Sequence, residues 1–293
     1  MEQVTVRIPA TSANLGPGFD SLGCALARYN TLTFSEQESG LCITGCPAKY
    51  QNEENLAVRG YRAVQKRLGV PPKGLALHIG GEIPVSRGLG SSAAMIAGGV
   101  LAANALHGSP LPREELLTIA NEIEGHPDNL APALYGGLTA SLVEDGIPHT
   151  VRLPLHEKWR FIAAIPDYEL STHQAREVLP ESVPFADAVF NASRTAVLLG
   201  ALQSGDSALL RAAMQDRLHQ PYRRGLIPEY DAVEAAAWAC GAVGFCISGA
   251  GSTLLCIAED DGFAARLAER CKVLKTGWQI LPLAVDREGA KVL

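Results

Sequence analysis

The sequence carries no excess of positive charge, which argues against one large class of functions. Its 293 residues include 25 lysines and arginines against 31 aspartates and glutamates, a formal net charge of -6. Such a balance gives no general attraction to nucleic acid or to anionic membranes. Any phosphate group that the protein handles must therefore be bound in a local pocket and not over a basic surface.

Long apolar runs are also absent. The longest helix-like stretch without a charge, residues 93–106, is shorter than the ~20 residues needed to cross a bilayer. The first residues, MEQVTVRIP, lack the apolar core of a signal peptide. We therefore expect a cytoplasmic protein that does not associate with a membrane.

The seven cysteines include no C-x-x-C pair. Cys42 and Cys46 stand too far from further ligands to indicate a zinc site, which normally needs four. The pattern favours buried, reduced thiols, and reduced thiols indicate a reducing compartment.

Strand and helix patterns mix along the whole chain. Hydrophobic residues make up 47% and charged residues 19%, the balance of a globular protein with a core. The pattern predicts an α+β protein of two lobes with a site in the cleft between them. A turn at residues 144–148 suggests the boundary, so we expect a nucleotide- and phosphate-binding domain at residues 1–150 and a domain completing the cleft at residues 151–293.

The local patterns also predict individual elements. We expect a shaped loop at residues 9–20, because prolines, glycines and Asx residues are concentrated there. Strands are expected at residues 4–8, 29–34, 75–79, 136–143, 160–165, 245–247, 253–257 and 277–283. Helices are expected at residues 54–68, 91–106, 113–124, 185–202, 207–218, 230–240 and 262–271.

A glycine- and serine-rich loop, IPVSRGLGSSAA at residues 83–94, joins a strand to a helix of small residues. Gly88 and Gly90 let the backbone approach a ligand closely. Ser91 and Ser92 stand at the helix start, where free N–H groups and the helix dipole favour an anion. The loop is neither a Walker nor a Rossmann pattern. A glycine turn before a capped core helix is the alternative interpretation.

Two further loops offer polar groups. Asn14 and Asp20, in SANLGPGFD, could receive the hydroxyl and ammonium groups of a ligand, or they could merely close a turn. Near the other end of the chain, SGAGST at residues 248–253 is typical of a backbone nest or a tight turn.

The segment EGHPDNLAPALYGG at residues 124–137 follows a helix and carries His126, Asp128 and Asn129. Asp128 and Asn129 could orient a hydroxyl nucleophile, whereas a lone histidine is more often structural. Glu122 and Glu124 lie at the end of the preceding helix. A carboxylate near the phosphate loop suits Mg²⁺, which prefers oxygen ligands, although a solvated helix end is the alternative.

Arginines in the second half could bind a carboxylate. Arg176 lies in LSTHQAREVLP, and Arg223 and Arg224 are adjacent in QPYRRGLIP. The planar guanidinium group suits the α-carboxylate of an amino acid, although a surface position is the more usual place for any one arginine.

These strings together resemble a known family. Residues 84–94 match the phosphate motif P-x-x-x-G-L-G-S-S-A-A of the GHMP kinases, and residues 248–253 resemble their third motif, with Ser252 where proline is usual. Within that group, SANLGPGFD, HPDN and the two arginine segments resemble the homoserine kinases. The resemblance extends from about Val4 to Ile257.

The resemblance implies a fold and a reaction. The fold is the two-lobed α+β GHMP kinase fold, with a ribosomal-protein-S5-like N-terminal α/β domain and a ferredoxin-like C-terminal domain. The reaction is ATP-dependent phosphorylation of L-homoserine to O-phospho-L-homoserine in threonine biosynthesis, with Mg²⁺ as the metal. Another GHMP kinase acting on a small alcohol, or a non-catalytic nucleotide-binding protein, is the alternative. An exposed apolar sheet edge could support a homodimer.

The resemblance also implies residue roles. Substrate binding falls to Asn14, Asp20, Asn129, Arg176, Arg223 and Gly251, and catalysis to Asn129, Asp128 and Arg176. Metal binding is expected at Ser92 and Glu122, with Glu124 as the competing carboxylate. The nucleotide phosphates are expected on Pro84, Val85, Ser86, Arg87, Gly88, Leu89, Gly90, Ser91, Ser92, Ala93 and Ala94. Arg224 is expected to be a surface charge.

Overall fold

A computed structural model describes residues 3–293 of the chain. The strands are β1 (Gln3–Ala13), β2 (Leu22–Gln37), β3 (Leu41–Thr44), β4 (Gly74–Gly81), β5 (Leu138–Glu144), β6 (Ile147–Leu153), β7 (Arg160–Pro166), β8 (Gly244–Ile247), β9 (Leu254–Ala258), β10 (Trp278–Leu283) and β11 (Lys291–Val292). The helices are α1 (Leu56–Leu68), α2 (Ser91–Leu106), α3 (Arg113–Glu124), α4 (Leu130–Tyr135), α5 (Thr172–Glu177), α6 (Phe185–Ser204), α7 (Ser207–Ala213), α8 (Gln220–Arg223), α9 (Tyr230–Ala239) and α10 (Phe263–Cys271).

The first sheet is organised around the long strand β2. Strand β1 pairs with β2 along one side, while β4 and β5 share the other side, and β3, β6 and β11 extend the sheet. Strand β1 continues through Ala13 with a register shift at Pro9/Ala10, where proline lacks an N–H to give to the ladder. The loop expected at residues 9–20 is therefore shorter, and it begins at Asn14.

Helices α1 to α4 cover the first sheet and close its core. Helix α2 is buried on almost every side, and ten of its eleven buried residues are alanine, glycine or another aliphatic type that allows close packing. It begins directly after the glycine-rich loop, at Ser91 as expected. The buried helix therefore fixes the position of the loop that precedes it.

The second sheet consists of four antiparallel strands in the order β10-β7-β9-β8. With the helices between them, these strands run β-α-β-β-α-β, the ferredoxin-like arrangement. Both faces are buried: Phe161 and Ala163 of β7 face the core shared with the first lobe, whereas Ile162 and Ala164 face a second core under α9 and α10. The α+β fold expected from the sequence is confirmed.

The boundary between the lobes differs from the one expected. The turn at residues 144–148 joins β5 to β6 in a hairpin of the first sheet, with Glu144 opposite Ile147. The chain crosses to the second sheet only after Leu153, and it returns when β11 pairs with β1. The second lobe is thus inserted between strands of the first sheet.

Most of the expected elements are found, with two kinds of difference. Helices α2 and α3 have the expected bounds, but the helix expected at residues 207–218 ends at Ala213. The short elements β3, β6, α4, α5, α8 and β11 were not anticipated. No helix within residues 3–293 is both long and apolar enough to cross a membrane.

Candidate active site

A cavity of about 510 Å³ lies between the two lobes. The glycine-rich loop before α2 lines its middle, and the loop after β1 and the loop between β8 and β9 line one end. The other end is lined by residues before α1 and along β4. One cavity therefore joins an anion-binding loop to the polar residues singled out in the sequence.

The carbonyl groups of four consecutive loop residues all accept hydrogen bonds from outside the loop. Ser86 O accepts from Leu170 N at 3.1 Å, Arg87 O from Thr253 N at 3.1 Å, Gly88 O from Ser248 Oγ at 2.6 Å, and Leu89 O from Thr11 N at 3.2 Å. These bonds hold the loop through its carbonyl oxygens and do not use its backbone N–H groups.

The N–H groups of residues 85–93 have no hydrogen-bond partner within residues 3–293. Gly88 and Gly90 adopt left-handed φ angles of 74° and 70°. A Cβ on Gly90 would lie 1.9 Å from Thr11 Oγ1, so a side chain does not fit there. A row of free amides at the start of a long helix is suited to binding an anion.

The structure divides the expected phosphate residues into two sets. The cavity is lined by Val85, Ser86, Arg87, Gly88, Gly90, Ser91 and Ser92. Leu89, Ala93 and Ala94 are instead fully buried in the first core, and Pro84 is also not among the lining residues. None of these four residues lines the cavity, so any contact of Leu89 or Ala93 with a nucleotide would be made by the backbone amide.

Glu124, and not Glu122, is the carboxylate that faces the cavity. Ser92 Oγ donates to Glu124 Oε2 at 2.6 Å. Burial raises the pKa of Glu124, although the Ser92 hydrogen bond and His126 act in the opposite direction. Glu122 lies on the outer face of α3, where its side chain is 54% exposed and pairs with Arg67 at 2.7 Å. Glu122, the expected metal ligand, thus lies outside the cavity, whereas the competing carboxylate of Glu124 lines it.

The oxygen atoms of Ser92 and Glu124 fit Mg²⁺ but do not enclose it. Both are hard ligands, and the residues described include no group of three or more acidic, histidine or cysteine side chains that could hold a metal alone. Magnesium in such sites usually takes its remaining ligands from water and substrate phosphates. The adjacent anion-binding loop is where those phosphates would lie.

Asn14 joins two loops at the opposite end of the cavity. Its Nδ2 donates to Gly249 O at 2.9 Å, and its Oδ1 accepts from Asp20 N at 2.8 Å. The side chain is 4% exposed, and it also lines the cavity. Asn14 therefore shapes the loop that carries Asp20, in addition to facing the cavity as expected.

Asp20 and Arg176 form an ion pair across the lobes. Arg176 Nη2 donates to Asp20 Oδ1 at 2.7 Å, and Nη1 donates to Oδ2 at 3.2 Å. The guanidinium groups of Arg176 and Arg223 lie 5.7 Å and 5.1 Å from the centre of the Phe19 ring. The aromatic ring thus supports both arginines where they face the cavity.

Arg223 is a buried cation without a carboxylate in contact. Its Nε donates to Ala175 O at 3.0 Å, and its Nη1 lies 3.3 Å from both His219 Nδ1 and Gly249 O. Within residues 3–293 its Nη2 has no hydrogen-bond partner and no ion pair is formed. Burial and the nearby Arg176 lower the pKa of Arg223 to about 10. An unpaired charge in this position needs an anion.

Asp128 and Asn129 each keep one polar atom free of protein partners. Asp128 Oδ1 contacts His126 Nδ1 at 2.6 Å and accepts from Asn129 N at 3.0 Å, while no residue from 3 to 293 bonds to Oδ2. Asn129 Oδ1 accepts from Thr11 Oγ1 at 2.7 Å, which leaves Nδ2 free. Burial lowers the pKa of His126, but the hydrogen bond and charge of Asp128 outweigh it and raise that pKa overall.

The third loop brings Gly251 to the cavity wall, as expected. Ser252, which replaces the usual proline, is fully buried, and its hydroxyl donates to the backbone carbonyl of Tyr168. A side-chain hydrogen bond thus ties the loop to the segment after β7.

Sequence reasoning missed several residues that line the cavity. Leu170 and Thr172 lie beside Arg176, and Tyr50, Asn55 and Met95 line the end beyond the glycine-rich loop. Leu170 and Thr172 belong to LSTHQAREVLP, the segment that was singled out for Arg176, so the same segment could have indicated them. The three residues at the far end carry no motif of their own.

Comparison with known proteins first defines the class. The model of the GHMP kinase N-terminal domain matches residues 55–137, which include the glycine-rich loop, α3 and the HPDN segment. The model of the GHMP kinase C-terminal domain matches residues 198–273. Residues of both matched segments line the cavity, and the two matches define the chain as a GHMP-type kinase.

Full-length relatives then narrow the class. The chain is 42% identical over 291 residues to the homoserine kinase of Clostridium botulinum (strain ATCC 19397 / Type A), which covers 99% of this chain and 98% of that protein. The homoserine kinase of Caldicellulosiruptor saccharolyticus is 42% identical over 296 residues, 99% of this chain and 96% of that one. The chain belongs to the homoserine kinase family.

A solved structure agrees with this assignment. The homoserine kinase of Cytophaga hutchinsonii superposes with a TM-score of 0.90 at 29% identity, over 100% of this chain and 98% of that chain. The whole two-lobed architecture, including the inserted second lobe, is therefore common to both proteins.

Replacement of Glu124 separates the two candidate metal ligands. Glu124→Gln should raise the Mg²⁺ concentration for half-maximal ADP release by more than ~10-fold, because the carboxylate in the cavity is lost. Glu122→Gln is the matched control and should change that concentration by less than ~2-fold, since its carboxylate pairs at the surface. Equal effects of the two variants in the Mg²⁺ titration would contradict the assignment of Glu124.

Proposed function

We propose that this chain transfers the γ-phosphoryl group of ATP to the side-chain hydroxyl of L-homoserine and releases O-phospho-L-homoserine. The proposal is supported by membership of the homoserine kinase family and by 42% identity over nearly the full chain to proteins of that name. It is also supported by the cavity, which places free backbone amides beside groups suited to an α-amino acid.

The observation that carries this proposal is the unpaired buried charge of Arg223. Its side chain is 1% exposed, and a buried cation is unfavourable unless an anion accompanies it. The free Nη2 group can donate to a carboxylate from the cavity. An α-carboxylate of the substrate would supply the missing anion and would gain a charge-assisted hydrogen bond.

The pair of Asp20 and Arg176 complements the rest of a zwitterion. An α-amino acid carries an ammonium and a carboxylate on adjacent atoms, and the cavity offers a carboxylate and a guanidinium in contact with each other. In the proposed complex the ammonium lies on Asp20, while the carboxylate lies between Arg176 and Arg223. The ammonium and carboxylate of the substrate then replace the direct contact between Asp20 and Arg176. Because the substrate is a zwitterion, its binding buries no extra net charge.

The side-chain hydroxyl lies toward the glycine-rich loop in this complex. Asn129 Nδ2 donates to the hydroxyl oxygen, and Asp128 Oδ2 accepts its proton, because these are the polar atoms left free at that position. Asn14 holds the loop of Asp20 in place. Transfer of this kind depends mainly on in-line positioning and on stabilisation of charge, so Asp128 need not be a strong base.

The phosphates of ATP lie on the backbone amides of residues 85–93 in the proposed complex. Ser92 and Glu124 would hold Mg²⁺, which when bound neutralises charge on the phosphates. The lining residues at the far end of the cavity, around Tyr50 and Asn55, leave space there for the nucleoside.

The proposed product is an intermediate of threonine biosynthesis, and we place the reaction in the cytoplasm. All seven cysteines are free and five of them are buried, which agrees with a reducing compartment. Cell fractionation followed by assay of the protein would check this location.

The activity itself is tested by mixing the purified protein with Mg·ATP and measuring ADP release. L-Homoserine should stimulate release strongly, while L-threonine, L-serine, mevalonate and shikimate, assayed in parallel, should not. Turnover of another alcohol would contradict the assignment of homoserine as the substrate but would agree with a kinase activity. Tight nucleotide binding without turnover of any alcohol would instead indicate a non-catalytic nucleotide-binding protein.

Replacement of the buried cation tests the carboxylate site. Arg223→Gln should lower kcat/KM for homoserine by at least ~30-fold, since loss of one partner of a buried charge pair costs about 2–5 kcal/mol. The KM for ATP should hardly change. The matched control is Arg224→Gln, because Arg224 is exposed and pairs with Asp231; its kcat/KM should stay within ~3-fold of the unsubstituted protein. An unchanged KM for homoserine in Arg223→Gln would contradict the site.

A homodimer is the assembly we propose, supported by an exposed apolar face on the outer strands β5 and β6. Leu142, Ile147 and Val151 share this face and are between 51% and 59% exposed. Light scattering should give twice the chain mass for the unsubstituted protein and a lower mass for Val151→Lys. A single-chain mass for the unsubstituted protein would rule the dimer out.

A further inference from the structure

His219 is a completely buried histidine that the proposed reaction does not use directly. It lies immediately before α8, with no exposed surface. Its ring contacts three parts of the candidate substrate site: Arg223, the Phe19 ring, and the backbone of Gly16 in the loop that also carries Asp20.

The partners of the two ring nitrogens fix the position of the proton. His219 Nε2 lies 2.9 Å from Gly16 O, which can only accept a hydrogen bond. His219 Nδ1 lies 3.3 Å from Arg223 Nη1, which can only donate. Nε2 must therefore carry the hydrogen and Nδ1 the lone pair. Only the neutral Nε2–H form of the imidazole satisfies both partners.

The surroundings of the ring favour this neutral form. Burial lowers the pKa of His219, and the charge of Arg223 lowers it further, while Asp216 acts in the opposite direction. Asp216 Oδ2 lies 3.6 Å from Nε2, but this carboxylate is occupied by the backbone N–H groups of Leu218, His219 and Gln220. Asp20 is the other carboxylate that acts on the ring.

The bond to His219 determines which part of Arg223 reaches the cavity. Nε and Nη1 are held by Ala175 O, Gly249 O and His219 Nδ1, so Nη2 is left as the free donor. The same histidine ring stacks on Phe19, with 5.1 Å between centroids and 20° between planes, and Phe19 lies against both arginines. His219 thus contacts Arg223 directly and also packs on the aromatic ring that lies beside both guanidinium groups.

We propose that His219 is a positioning residue for the amino acid substrate: as a neutral acceptor, it orients Arg223 so that Nη2 meets the substrate carboxylate, and it does not touch the substrate itself. This inference rests on the proposed function, because it assumes that Arg223 binds that carboxylate. It adds a residue of the second lobe that sets affinity for the amino acid without affecting the nucleotide.

Two amide variants separate the roles of the ring nitrogens. In His219→Asn the side-chain oxygen takes the place of Nδ1 and still accepts from Arg223. In His219→Gln the side-chain N–H takes the place of Nε2, so the bond to Gly16 is kept and the acceptor for Arg223 is lost. Both variants lose the stacking on Phe19 equally, which makes each the control for the other.

We expect His219→Gln to raise the KM for homoserine by roughly 10-fold or more, as for loss of a hydrogen bond to a charged group. The KM for ATP should stay within ~2-fold, and His219→Asn should recover most of the homoserine KM. Equal KM values for homoserine in the two variants would overturn the proposal. A parallel rise in the KM for ATP would also overturn it, because a general loss of structure would then explain both.

Imidazole ¹⁵N NMR of the unsubstituted full chain, without ligand, tests the same proposal independently of homoserine turnover. The expected spectrum shows His219 with a protonated Nε2 and an unprotonated Nδ1 at neutral pH. A doubly protonated ring, or a proton on Nδ1, would overturn the assignment. If the spectrum shows the expected tautomer but the protein does not turn over homoserine, the proposed substrate is wrong, while the geometry of His219 and Arg223 still holds.

Discussion

Hydrogen bonds between three loops are the constraint on which the whole site depends. Asn14, in the loop after β1, donates to Gly249 in the loop between β8 and β9. Ser248, in that same loop between β8 and β9, donates to Gly88 of the glycine-rich loop. The contacts are close: a Cβ on Gly88 would lie 2.3 Å from Ser248 O. Because the loops come from both lobes, they fix the distance between the free amides of the glycine-rich loop and the cavity residues Asn14 and Asp20. A reaction that proceeds by positioning requires such a fixed distance.

The proposed substrate site holds two cations close together, which is unfavourable in the protein without a bound anion. Arg176 and Arg223 both lie against Phe19, although only Arg176 has a carboxylate in contact. Burial and the nearby charge of Arg176 both make the charge of Arg223 less favourable. A bound anion relieves the repulsion. In the proposed complex, affinity for the substrate is gained from an arrangement that is unfavourable without it, a common compromise at functional sites.

The sequence alone predicts the features that depend on neighbouring residues in the chain. It does not predict the features that depend on contacts with distant residues. The bounds of α2 and α3 follow from small residues and from the glycines beside them, and they are found as expected. The choice between Glu122 and Glu124 depends on which side of α3 faces the cavity. Residues two positions apart on a helix point ~200° away from each other, and the distance along the sequence to a motif does not show which of them points to the cavity. Strand β11 is two residues long and exists only because β1 lies beside it. His219 has no signal in the sequence, because its role comes from Gly16 and Arg223.

The pairing of β1 with β11 has a consequence for the order in which the protein folds. Val6 lies opposite Val292, so the first sheet cannot be completed until almost the whole of this sequence has been synthesised. The second lobe is made of segments close together in sequence and can form its sheet earlier. Contacts between distant parts of a chain form slowly, and an unpaired strand edge is prone to wrong pairing in the meantime. During synthesis, the edge of β1 at Val6 and Arg7 therefore stays unpaired until the residues of β11 have been added.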